Sequence, residues 1–198
     1  GLGSYHYHCG GNPPHLHNNG VCPYSSTSSS GSSSSNGSST SSQETIVAAA
    51  KKEAKDSGYD AGYTAGCNGH EFNDNNSSNY SSEYKNGYSN GYEKGKSELE
   101  TKINSAYNEG YELGYKCENE SNTYTVQAVK DSYSNGYKEG RRVYIEENTN
   151  NYVQYAEEDA NNFVLRTFES NVPMELKEKY TTAYNNKTSE LKKVAYDA

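Results

Sequence analysis

Glycine returns at every fourth position through much of this chain: Gly58, Gly62 and Gly66, then Gly87, Gly91 and Gly95, then Gly110 and Gly114, then Gly136 and Gly140. Seven of these ten are followed at once by tyrosine. A spacing of four is close to the 3.6 residues of a helical turn and far from the two-residue period of a strand, so the stripes read as helical. Glycine inside a helix costs about 1 kcal/mol relative to alanine, and ten cost on the order of 10 kcal/mol, comparable with the stability of a whole domain. Close approach of a second backbone offsets that cost, because a row without side chains opens a groove along one helix face. The adjoining tyrosines supply aromatic ridges that fill the flanks while each hydroxyl reaches a partner or water.

Composition points the same way. Leu, Ile, Val and Phe together make up 22 of 198 residues, whereas Tyr alone contributes 21. That aliphatic content lies below the level at which a large core forms, so the composition argues against a large α/β enzyme, and any folded part is built on tyrosine. No apolar run approaches the roughly 20 residues of a membrane span. A net charge of −8 disfavours nucleic acid as a partner.

Charge divides the chain. Residues 1–43 hold no Asp, Glu, Lys or Arg, yet they carry His6, His8, His15 and His17 together with Cys9 and Cys22. Three parts follow: a His/Cys module over 1–24, a Ser-rich flexible linker over 25–42, and a Gly/Tyr-repeat helical domain over 43–198. The expected fold is mainly α: a small irregular knuckle, a disordered linker and an antiparallel helical bundle. The abrupt start at Gly1 implies a processed chain. The serine linker and even cysteine count fit an exported protein.

In the first module alternation is informative. On strands, His6 and His8 share one face and His15 and His17 share another. The turn-forming run Gly10, Gly11, Asn12, Pro13 and Pro14 folds one pair back towards the other. Four imidazoles then converge near two thiols. Zinc takes four N/S ligands, and two sets are open here: histidines plus the Cys9 and Cys22 thiolates, or imidazoles alone with Cys9 and Cys22 joined as a disulfide. The second is favoured in an oxidising compartment, where the disulfide staples a segment too short to fold alone. Two open imidazole pairs also suit Cu²⁺ or Ni²⁺. The bland reading is a disulfide knuckle whose histidines stack on tyrosines.

The string Tyr5-His6-Tyr7-His8-Cys9-Gly10-Gly11, then Pro14-His15-Leu16-His17, then Asn19-Gly20-Val21-Cys22-Pro23-Tyr24, resembles the bacterial YHYH-domain proteins. The resemblance implies an exported or cell-surface bacterial protein with a metal-binding role. The glycine repeat is also similar, more weakly, to the Gly-x₃ adaptor proteins of Fe–S assembly, which suggests helices that serve as protein-binding surfaces.

Helix boundaries are legible. Ser41 and Glu44 form a capping-box pattern, giving a first helix over about 43–70. A loop at 73–79 precedes a second helix over about 80–117, whose glycine phase slips between Ile103 and Ala106. A third runs over about 124–170 with a break at 148–151, and Pro173 opens the last. Short loops favour antiparallel neighbours. That direction brings Cys67 and Cys117 together, where a disulfide is plausible. His70 reads as a cation at a helix C-terminus.

No Gly-x-Ser-x-Gly, His-Glu-x-x-His or phosphate-loop motif is present. The leading expectation is a non-enzymatic exported protein: a zinc or other divalent-metal module tethered to helices that associate with themselves or with a protein partner. The alternatives are a metal-dependent hydrolase or nuclease using the N-terminal histidines, and a purely structural spacer.

Overall fold

A computed structural model describes the backbone of residues 5–6 and 15–16, and residues 39–198 with side chains from Ser41 onward. Two short strands, β1 (Tyr5–His6) and β2 (His15–Leu16), pair antiparallel. Four helices follow: α1 (Ser39–Cys67), α2 (Ser81–Tyr115), α3 (Gln127–Asn161) and α4 (Met174–Tyr196). The described chain divides into two compact units, Gly1–Lys102 and Ile103–Ala198. The boundary falls inside α2, where the glycine phase slips.

In the first unit α1 packs on the opening part of α2, and the direction is parallel. A Cβ built on Gly58 meets the Tyr84 carbonyl, one on Gly62 the Tyr88 carbonyl, and one on Gly66 the Tyr92 carbonyl. Residue numbers rise together, so the antiparallel bundle expected from loop length is incorrect. The reason lies in the connections. Residues 68–80, 116–126 and 162–173 are non-helical and return along the helix that follows them. An extended chain advances at about 3.3 Å per residue against 1.5 Å in a helix, so roughly a dozen residues retrace some two dozen helical ones. We call these segments straps.

The second unit repeats the arrangement. Gly110 and Gly114 of α2 face the carbonyls of Tyr133 and Tyr137 on α3. Along α3 and α4, Arg141 pairs with Glu175, and Asp159 with Tyr180, again a parallel order. The core of this unit is built from Ala106, Val129, Tyr133, Ala156, Ala160, Leu176 and Tyr180.

Three boundaries differ from expectation. α1 starts at Ser39, upstream of the presumed cap, so residues 39–42 of the linker are helical; the Thr45 hydroxyl donates to the Ser41 carbonyl inside the helix. α3 does not break at 148–151. Asn148 and Thr149 bond the carbonyls of Tyr144 and Ile145 four residues back, which satisfies their side chains without opening the helix. α3 ends at Asn161 rather than near 170, because the next residues form a strap. Pro173 stands at the N-cap of α4, as its fixed φ favours.

The C-terminal ends of α1, α2 and α3 close alike. The amides of Gly69 and His70 bond the carbonyls of Gly66 and Ala65; Cys117 and Glu118 bond Gly114 and Leu113; Phe163 and Val164 bond Ala160 and Asp159. This is the Schellman closure, which needs a left-handed residue. Gly69, Cys117 and Phe163 fill that position with φ of 69°, 54° and 54°.

Candidate functional site: glycine seams and tyrosine clamps

The ten stripe glycines are all buried. A Cβ at Gly62 would stand 2.0 Å from the Tyr88 oxygen, and one at Gly91 2.0 Å from the Tyr59 oxygen. The seam is therefore reciprocal, each helix presenting glycine to the other's carbonyls. Gly110 and Gly136 repeat the pattern at 2.1 Å from Tyr133 and Tyr107. The hydrogen that replaces each Cβ points at a carbonyl oxygen, the arrangement of weak Cα–H···O bonds worth about 0.5–1 kcal/mol each. Stacked tyrosines flank the seams. Ring centroids lie 6.2 Å apart for Tyr88–Tyr92 and 6.3 Å for Tyr111–Tyr115.

Tyrosine hydroxyls hold each strap, two successive ones in the first two cases and one in the third. Tyr92 donates to the His70 carbonyl at 2.8 Å, and Tyr88 accepts the Asn73 amide at 3.3 Å. One unit further on, Tyr137 donates to the Glu118 carbonyl at 2.6 Å, and Tyr133 accepts the Ser121 amide at 3.1 Å. In the third instance Tyr180 accepts the Arg166 amide at 3.0 Å. Strap backbone lacking a helical partner is thereby satisfied. His70 serves through its amide and carbonyl, a role that reading it as a helix-end cation missed.

The third clamp carries charge. The Tyr180 hydroxyl donates to Asp159 at 2.7 Å, and Arg166 reaches both oxygens of the same carboxylate at 3.0 and 3.2 Å. Asp159 is 8% exposed, so three donors meet a largely desolvated anion. Hydrogen bonds from Arg166 and then Tyr180 hold its pKa below the ordinary carboxylate value. Nothing in the acidic run around it distinguishes Asp159 by sequence from its solvated neighbours Glu157 and Glu158. Elsewhere, Tyr63 and Tyr124 donate to Glu98 and Glu109. Burial pushes the Tyr63 phenol up, while the bond to Glu109 takes Tyr124 up to about 12.

Of the six metal-ligand candidates, His6 and His15 stand directly opposite each other in the β1–β2 register. His8, Cys9, His17 and Cys22 lie outside the described residues, as does the Ser-rich segment over 25–38. Among the described residues no group of three His, Cys, Asp or Glu converges on a metal position. Cys117 is a free thiol, and Cys67 lies at the Gly95 level of α2. The Cys67–Cys117 disulfide that an antiparallel pair would allow is not formed. Among the described residues no helix is long and apolar enough to cross a membrane. Comparison with protein-family models, curated proteins and solved structures finds no match to this chain.

Proposed function

We propose that this chain is an exported structural protein whose short His/Cys head takes a divalent transition metal, zinc being the best chemical match, and whose helices act as a spacer behind it. The observation that carries the reading is the antiparallel register setting His6 opposite His15. That register sets His6 level with His15, and His8, His17, Cys9 and Cys22 are the candidates for the remaining ligand positions. These side chains offer only nitrogen and sulfur donors, the set zinc prefers in closed sites. Such a metal would cross-link a segment too small to fold by burial alone. The resemblance to YHYH-domain proteins supports a bacterial cell-surface or extracellular setting.

The seams favour the spacer role for the helices. Their glycine grooves are filled by helices of the same chain, so the stripes themselves are not a docking face. A protein partner or a second copy would meet other surfaces. The absence of carboxylates from the first 43 residues weighs against the hydrolase alternative, which needs a general base beside the metal.

Elemental analysis of the purified full chain, followed by zinc titration in oxidised and reduced forms, tests the reading. The expected result is about one zinc per chain, as for a single four-ligand site, bound at least tenfold more weakly when the four head histidines are replaced by Asn. Higher affinity after reduction would assign the thiolates to the ligand set. Equal affinity of the wild type and the four-Asn variant would leave only the spacer.

A further inference from the structure

The three seams are not equal. Measured back from the helix caps Gly69, Cys117 and Phe163, equivalent seam positions hold Gly58, Ala106 and Tyr152; one turn later they hold Gly62, Gly110 and Ala156. Gly58 lies against the Tyr84 backbone and Ala106 is fully buried. The gap at Gly58 has no room for a methyl group and that at Ala106 is filled by one, so neither would admit a tyrosine ring. The Tyr152 ring instead stacks on Phe168 of the strap at 5.6 Å, and Phe168 meets Tyr180 edge-on at 4.9 Å.

This departure opens a cleft of about 350 Å³ lined by Tyr144, Tyr152, Tyr155 and Phe168, with Arg166 and Glu169 among its polar groups. The volume lies at the small end of ligand pockets, about the size of a single ring. Elsewhere in the unit the clamp tyrosines spend their hydroxyls on straps. Those of Tyr144, Tyr152 and Tyr155 have no hydrogen-bond partner among the described residues, and the Glu169 carboxylate has no ion pair there. Aromatic walls therefore stand beside unspent donors and acceptors.

The geometry points to a binding site for a hydroxylated ring, a pyranose sugar, whose C–H face lies on the aromatic wall and whose hydroxyls meet the phenols and Glu169. An organic cation is the rival for an aromatic pocket. Here the Arg166 guanidinium already sits 4.3 Å from the Tyr155 centroid and takes the ring face a second cation would need. A purely apolar ligand would leave the phenols and carboxylate desolvated without partners.

Saturation-transfer NMR on the full chain, with glucose, galactose and N-acetylglucosamine each at up to about 10 mM, tests the site at a concentration that fills one with a Kd of ~1 mM. Transfer to the ring C–H protons of at least one sugar is expected, falling at least fivefold in Tyr152→Ala and in Glu169→Gln. Glu169 is exposed and has no ion pair among the described residues, so Glu169→Gln keeps the test open if Tyr152→Ala does not fold, which circular dichroism reads. The assignment is overturned if no sugar shows transfer, if transfer survives in every folded variant, or if tetramethylammonium binds where the sugars do not.

Discussion

The Tyr133 hydroxyl accepts the backbone N–H of Ser121 at 3.1 Å from a ring with no exposed surface. It ties the strap over 116–126 to α3 and so carries the chain back to the start of a parallel helix. Tyr133→Phe keeps the packing and removes only this acceptor. The expected cost is about 1 kcal/mol, the net worth of one such bond. Denaturant unfolding reads the cost, and amide exchange at Ser121 should accelerate more than exchange within α3. Unchanged exchange there would show that the clamp does not hold the strap.

Gly62→Ala separates helix propensity from the seam. In an exposed helix the change stabilises by about 1 kcal/mol. Here the new methyl would stand 2.0 Å from the Tyr88 oxygen and 2.8 Å from its carbonyl carbon, backbone atoms that move only with the whole helix. Overpacking of this kind costs about 1–3 kcal/mol. The melting temperature should therefore fall, whereas Asn90→Ala, at an exposed position on α2, should leave it level or raise it. A rise for Gly62→Ala would refute the close approach.

The pH response has two arms. Asp159 is held below its ordinary pKa by Arg166 and Tyr180. Its contribution is complete above the unfolded value of about 3.9 and lost as pH falls through the lower folded value. Asp159→Asn should remove that acid-side slope. Tyr124 is raised to about 12 by Glu109. Its contribution is complete below the unfolded value of about 10 and declines as pH climbs through the folded one. Glu109→Gln should bring one phenolate titration, followed by ultraviolet absorbance, back towards the ordinary range.

Cys117 predicts a chemical outcome. Its thiol is free, half-buried, and raised in pKa chiefly by burial, with the nearby Arg141 acting in the opposite direction. Alkylation of the folded, unreduced chain should modify Cys117, with a rate that climbs at higher pH than for an ordinary thiol. Peptide mapping under non-reducing conditions should show no Cys67–Cys117 link. Recovery of that link would contradict the free thiol of Cys117.

Much of the architecture was legible in residue order. The four-residue glycine period predicts helices and backbone contact, and Gly58 through Gly140 make that contact because a row without Cβ atoms can be filled only by another backbone. Tyrosine in place of aliphatic residues predicts an amphipathic core of rings with hydroxyls in use, and Tyr88, Tyr92, Tyr133 and Tyr137 bear this out. The phase slip after Ile103 coincides with the change from one unit to the next.

Direction was decided only in three dimensions. A glycine groove records how near two helices come, and it is equally deep whether the second helix runs up or down. The choice rests on strap amides and carbonyls, such as those of Ser121 and Glu118, finding hydroxyls a dozen or more residues away, and no local pattern of spacing or composition reports such a pairing. The same holds for Asp159, one acid among several, which becomes a buried anion because the strap returns Arg166 to it and α4 delivers Tyr180.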